Sequence, residues 1–247
     1  MDHVVVSREQ WLAARQELLA NEKELTRHRD EVNRLRRNLP WTKVEQEYEF
    51  DGEAGKTSLC DLFGDCSQLI VYHFMFDPMW TEGCKSCSLL ADTYQSLGIH
   101  LQHRDVAMVT VSRAPLDKLL AFRQRMEWNF PWVSSHASDF NQDFGVTFTE
   151  AQIEQGDTFY NFERNPFPIT EAPGISVFAR EDGQIYHTYS AYARGLDMLM
   201  GIYHFLDLVP KGRDEQDLVY SMEWVRHHDR YGDDTFVDPY VQLMTPD

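Results

Sequence analysis

Leu69-Ile70-Val71-Tyr72-His73-Phe74-Met75-Phe76, followed after the loop 77–83 by Cys84-Lys85-Ser86-Cys87, is the stretch on which the reading of this chain turns. An unbroken apolar run rich in β-branched and aromatic residues reads as a buried strand. Beyond Cys87, the residues Leu89, Leu90, Ala91, Tyr94 and Leu97 fall on one helical face, so both sulfurs lie at a strand-to-helix junction. A helix N-terminus offers unpaired N–H donors and a partial positive charge. These favour thiolate over thiol and can bring a cysteine pKa from about 8.5 to about 7 or below. The pair therefore reads as a dithiol redox site, against the alternatives of two small buried hydrophobes or two ligands of a metal.

The rest of the composition agrees with a redox site more than with a structural one. A chain of 247 residues buries roughly 70% or more of its unfolded surface and needs no covalent staples. Cys60, Cys66, Cys84 and Cys87 contain a single C-x-x-C spacing, whereas a structural zinc site wants a second pair, so no metal and no cofactor are expected. The first residues lack a basic flank and a long apolar run, and no stretch reaches the length of a membrane span. A protein of the reducing cytoplasm is expected, without membrane contact. The net charge of −17 argues against a nucleic-acid surface, which needs a basic patch.

Ser7 followed by Gln10 is a capping-box signature, and no Gly or Pro intervenes before Pro40, which predicts one long helix over about 8–38. Trp11, Leu18, Leu25, Val32 and Leu39 recur every seven residues, but half of the intervening register is polar. Such a stripe suits packing across the body or a partner copy rather than an autonomous coiled coil, and a homodimer is expected. From Trp41 strands alternate with helices. Val106–Val111 reads as a strand, Pro115 opens a helix to about Glu127, and Ile175–Phe178 and Gln184–Tyr189 flank Asp182-Gly183, a hairpin turn. A helix over about 195–208 and a short one over about 217–228 complete the pattern. Residues 139–172 carry Phe140, Phe144, Phe148, Phe159, Tyr160, Phe162 and Phe167 without a period. They form either a packed cover or an apolar roof over the dithiol. Three segments are thus expected: a helical arm, 1–40, an α/β domain, 41–212, and an acidic extension, 213–247.

Strand, loop, Cys84-x-x-Cys87, helix, strand, helix, then Ala172-Pro173-Gly174-Ile175-Ser176-Val177-Phe178 and a hairpin resembles the thioredoxin-like fold in its longer, peroxiredoxin-related form. The strings His73–Phe76, Gly83–Ser88, Glu171–Arg180 and Tyr189–Gly195 more closely resemble the bacterial DUF899 family, described as predicted dithiol-disulfide oxidoreductases. The resemblance implies a three-layer α/β fold with a mixed central sheet, a long N-terminal helix and the acidic extension. It implies that Cys84 attacks, that Cys87 resolves, and that Pro173 is a cis-proline facing the dithiol. His73 falls near the place of a buried group that exchanges a proton with the inner cysteine. Trp80 and Thr81, in the loop before Cys84, are the candidate substrate-binding residues. The loop is longer than in thioredoxins, and Gly83 stands where an aromatic is usual.

Three functions follow. The first is a dithiol-disulfide oxidoreductase acting on a disulfide and restored by an unknown thiol reductant. The second is a thiol peroxidase, since Pro78, Thr81 and Cys84 approach Pro-x-x-x-Thr-x-x-Cys with Pro78 one residue too close, and Arg113 and Arg180 are candidates to hold the peroxide. The third is a thioredoxin-like binding scaffold without redox turnover.

Overall fold

The apolar run forms a strand over Gln68–His73 (β4), and its alternation divides the core. Leu69 and Val71 pack with Phe50, Phe63, Val109, Val111, Phe140 and Phe178 on one face of the sheet. Tyr72 and the residues just beyond the strand, Phe74 to Phe76, pack on the other with Cys84, Cys87, Leu90, Leu119, Phe122 and Trp132. The structure is a computed structural model that describes residues 3–233 and 235. The chain divides into two compact units, Met1–Trp41 and Thr42–Asp247.

The first unit is built on one helix, Arg8–Arg37 (α1). The Gln10 N–H donates to Ser7 Oγ at 3.2 Å and the Ser7 N–H to Gln10 Oε1 at 3.0 Å, closing the predicted capping box. Arg34, Arg36 and Arg37 occupy the last turn, where positive charge complements the helix dipole.

The second unit is organised by an eight-stranded mixed sheet. β4 runs parallel to Val106–Ser112 (β5), which runs parallel to Trp132–Ser134 (β6). On its other side β4 pairs antiparallel with Gly174–Glu181 (β9), itself in a hairpin with Gln184–Tyr192 (β10). Asp182 at φ 51° and Gly183 at φ 75° supply the left-handed pair that the tight turn demands. Thr42–Lys43 (β1) adds to β10, and the hairpin Glu49–Gly52 (β2) and Gly55–Ser58 (β3) adds to β6. Helices Lys85–Tyr94 (α2) and Leu116–Arg125 (α4) cover the dithiol face, with Leu97–Gln102 (α3) leading into β5. A central β-α-β unit followed by a β-hairpin, with the dithiol helix entered from β4, is the thioredoxin-like arrangement, and the fold is α/β of that class.

Three expectations change in detail. β4 ends at His73: the Phe74 N–H still donates to the Val111 carbonyl at 3.0 Å, but Met75 turns its carbonyl to the Cys84 N–H at 3.0 Å and Phe76 turns its own to the Ala114 N–H at 2.8 Å, so the chain after Phe74 holds the dithiol loop. The single helix over 195–208 is a 3-10 turn, Ala193–Leu199, and a short helix, Gly201–Leu206 (α7), broken at Met200 with ψ 86°. The helix expected over 217–228 is absent: this stretch is a series of turns. The segment 139–172 holds two short helices, Phe140–Asp143 (α5) and Glu150–Glu154 (α6), and a small hairpin of Phe159–Tyr160 (β7) and Glu163–Arg164 (β8).

Candidate functional site

Asp77 opens the loop before the dithiol: its Oδ1 accepts the Met79 N–H at 2.8 Å and its carbonyl the Trp80 N–H at 3.1 Å. Lys118 Nζ donates to the carbonyls of Pro78 at 2.6 Å and Trp80 at 2.9 Å, fixing the loop to α4. Gly83 then passes so close to the core that a Cβ there would lie 2.6 Å from Phe74 Cε1 and 3.0 Å from Phe122 Cε1. That close approach explains the glycine where thioredoxins carry an aromatic.

Cys84 is the N-cap of α2, and its Sγ accepts the Cys87 N–H at 3.5 Å. An N–H at a helix N-terminus stabilises negative charge on that sulfur. Cys87 sits one turn further in, with its thiol beside Cys84. Burial, together with the neighbouring Cys84, pushes the Cys87 thiol well above its ordinary range, while the Tyr72 hydroxyl and the Met75 backbone act against it. Cys84 and Cys87 are 5% and 2% exposed, so both depend on the cleft beside them for access. Neither is joined in a disulfide.

That cleft has a volume of about 770 Å³. Tyr72, Met75, Tyr160, Phe167, Pro173 and Met200 give it apolar walls, and residues 211–216 and 220–222 roof it. Lys85, between the cysteines, is 2% exposed. Its ammonium donates to the Glu223 carbonyl at 2.8 Å and lies 5.3 Å from the Tyr220 ring centroid. It therefore anchors the roof. The His227 imidazole bonds the Gly83 carbonyl at 2.8 Å, tying the far end of the roof to the residue before Cys84.

The structure corrects two of the sequence expectations here. His73 does not face the dithiol. Its ring stacks against Phe144 on the opposite face of the sheet, and its Nε2 bonds Ser176 Oγ at 2.9 Å. Burial lowers its pKa to about 3, so it is neutral, but the sheet separates it from Cys87. Strand alternation brings Tyr72 to Cys87 instead. Pro173 does line the cleft, but its peptide bond is trans, since no cis bond occurs among the described residues. Trp80 lines a different cavity of about 560 Å³ with Asp77, Arg113 and Thr170. Thr81 is exposed and lines neither cavity.

The arginines proposed for a peroxide are engaged elsewhere. Arg113 donates to Asp77 and Glu171, each at 2.6 Å. Burial raises the Glu171 pKa to about 7. Arg180 holds the carbonyls of Gly64 at 3.0 Å and Cys66 at 2.9 Å. Of the aromatic segment, Tyr160 and Phe167 reach the dithiol cleft. The cover of the cleft by residues from 211–222 and the place of Tyr72 beside Cys87 were not foreseen from the sequence. The sequence signal for Tyr72 was its position beside His73 in a strand whose two faces were both apolar.

Fold and site together define a thioredoxin-like domain with a buried dithiol at a helix N-terminus, opening into one apolar cleft. The chain belongs to the DUF899 family, described as a bacterial protein of unknown function, which matches residues 1–231. A search of the curated proteins finds no match. Solved structures similar to this chain include peroxidoxin BcpB from Mycobacterium tuberculosis, at 14% identity over 66% of this chain and 94% of that one, with a TM-score of 0.45. A PrxQ cysteine-to-serine mutant from Xylella fastidiosa is 12% identical over 68% of this chain and 96% of its own, at a TM-score of 0.43. Thioredoxin peroxidase I of Plasmodium yoelii is 13% identical over 81% and 95%, also at 0.43. Among the described residues no helix is long and apolar enough to cross a membrane, and no His, Cys, Asp and Glu side chains are grouped to hold a metal ion.

Proposed function

We propose that the protein is a thiol-disulfide oxidoreductase in which Cys84 attacks and Cys87 resolves. The observation that carries this reading is the placement of two buried thiols, not joined in a disulfide, at the start of α2, with Cys84 Sγ accepting the Cys87 N–H at 3.5 Å. The Cys84 thiolate displaces one thiolate from a disulfide and forms a mixed disulfide. Cys87 then loses its proton and attacks Cys84 Sγ, releasing the second thiolate. Two protein thiols become one disulfide, and the substrate disulfide becomes two thiols. The chemistry uses the two sulfurs without a cofactor, in a reducing compartment where a thiol donor restores them.

The experiment is mass spectrometry after oxidation and alkylation. An intramolecular Cys84–Cys87 disulfide in the wild type and a mixed disulfide trapped on Cys84 in Cys87→Ser are expected. Both thiols alkylated after oxidation removes the proposal. Rapid peroxide consumption by the reduced protein, without turnover of disulfides, moves it to the peroxidase class.

A further inference from the structure

We infer that the substrate of this dithiol is a low-molecular-weight disulfide with an apolar body, and that the chain's own backbone and roof keep extended protein segments out. The inference rests on the thiol-disulfide reading above and names the substrate class for it. A protein disulfide reaches a buried dithiol by laying a strand beside it, which takes free backbone donors and acceptors next to the thiols. Here they are occupied. The Ala172 N–H donates to the Val146 carbonyl at 2.9 Å, Pro173 has no N–H, and its carbonyl accepts the Tyr160 hydroxyl at 2.7 Å. Gly174 lies in the ladder with His73 on one side and Tyr192 on the other.

The roof closes the second approach. Glu215 Oε1 accepts three donors, the Tyr203 hydroxyl at 2.9 Å, the Met222 N–H at 3.0 Å and the Trp224 indole N–H at 2.7 Å. One carboxylate thus gathers α7 and both limbs of the 211–224 loop, while Lys85 holds Glu223 over the dithiol helix. What remains is about 770 Å³ of apolar-walled space, the size that accommodates a small organic ligand.

The test is single-turnover reduction by the full-length protein, pre-reduced and freed of reductant, in a Cys60→Ser background, because Cys60 is exposed and would react by itself. The probes are dithiodipyridine and hydroxyethyl disulfide as small substrates and insulin as the protein disulfide, with Cys60→Ser/Cys84→Ser as the blank. Thiol release that depends on Cys84 and saturates with dithiodipyridine, with insulin reduced at the blank rate, is expected. Insulin reduced as fast as the small disulfides overturns the inference and leaves the oxidoreductase reading standing. So does Cys84-dependent thiol release that rises linearly with dithiodipyridine, as from a thiol without a binding cleft. If diamide oxidation leaves Cys84 and Cys87 as free thiols, the oxidoreductase reading fails and the substrate assignment with it. Glu215→Ala removes the acceptor for three donors, and its insulin rate is expected to rise at least about tenfold. An unchanged rate in a folded variant refutes the gating role of the roof.

Discussion

Lowering the pH from 7 to 5 sets two buried groups of the second unit against each other. The His73 pKa falls from the ordinary 6.5 to about 3 because burial penalises the imidazolium. The unfolded chain binds that proton below 6.5 and the folded one does not, so stability falls with pH through this window, by about 2 kcal/mol between pH 7 and 5. Glu171 behaves oppositely. Its pKa rises from 4.5 to about 7 because burial outweighs Arg113. Its contribution is therefore fully present below the unfolded value and lost as pH rises through the folded one, a gain of about 2 kcal/mol on going from pH 7 to 5. The two terms nearly cancel in the wild type. His187 and His227, both lowered by burial, add an acid-side loss common to every variant. Urea unfolding of wild type, His73→Gln and Glu171→Gln at both pH values separates the terms. Relative to wild type, His73→Gln is expected to gain about 2 kcal/mol between pH 7 and 5, and Glu171→Gln to lose about as much. Three parallel profiles refute the assignment of these protons, whatever the absolute stabilities of the variants.

Tyr72→Phe removes the hydroxyl that donates to the Cys87 carbonyl at 3.4 Å and, at that position, favours the Cys87 thiolate. A charge-assisted interaction of about 1.5–3 kcal/mol with the attacking Cys87 thiolate predicts a mixed disulfide that resolves roughly ten- to hundredfold more slowly without it; equal decay rates in quenched alkylation experiments take Tyr72 out of the mechanism. Gly83→Ala drives a methyl against the Phe74 ring and is expected to cost about 1–3 kcal/mol in denaturant unfolding, so a protein of wild-type stability contradicts the close packing. The seven-residue stripe from Trp11 to Leu39 leads us to propose a homodimer, which light scattering of the full-length chain tests directly; a monomer at micromolar concentration disposes of it.

Much of this fold was legible because the signals were local. The Ser7–Gln10 box, the apolar run at 69–76 and the Asp182-Gly183 turn each fix an element through interactions within a few residues. The site was legible to the same depth: C-x-x-C at a strand-to-helix junction places both sulfurs without knowledge of the rest. Strand parity was legible as well, since Tyr72 and His73 must face opposite ways, but an apolar run does not say which face the dithiol helix covers. That choice is made by distant packing: Phe140 and Phe144 claim His73, and α2 brings Cys87 to Tyr72.

The roof shows where locality ends. Residues 217–228 have a composition compatible with a helix, yet their polar groups bond outside any helical ladder. The Val219 N–H goes to the Glu223 carboxylate at 2.8 Å and the Met222 N–H to Glu215 at 3.0 Å, while the Glu223 carbonyl takes the Lys85 ammonium at 2.8 Å. Side chains have replaced backbone partners, and each replacement depends on a contact that the cleft itself creates. Lys85 is the clearest case. Read alone it is a charge beside a nucleophilic sulfur; in the fold its buried ammonium needs an acceptor, and the acceptor it finds is the backbone of the segment that covers that sulfur. The same requirement that satisfies one buried cation thus shapes the cleft, which is why the substrate class is set by residues far from the C-x-x-C motif.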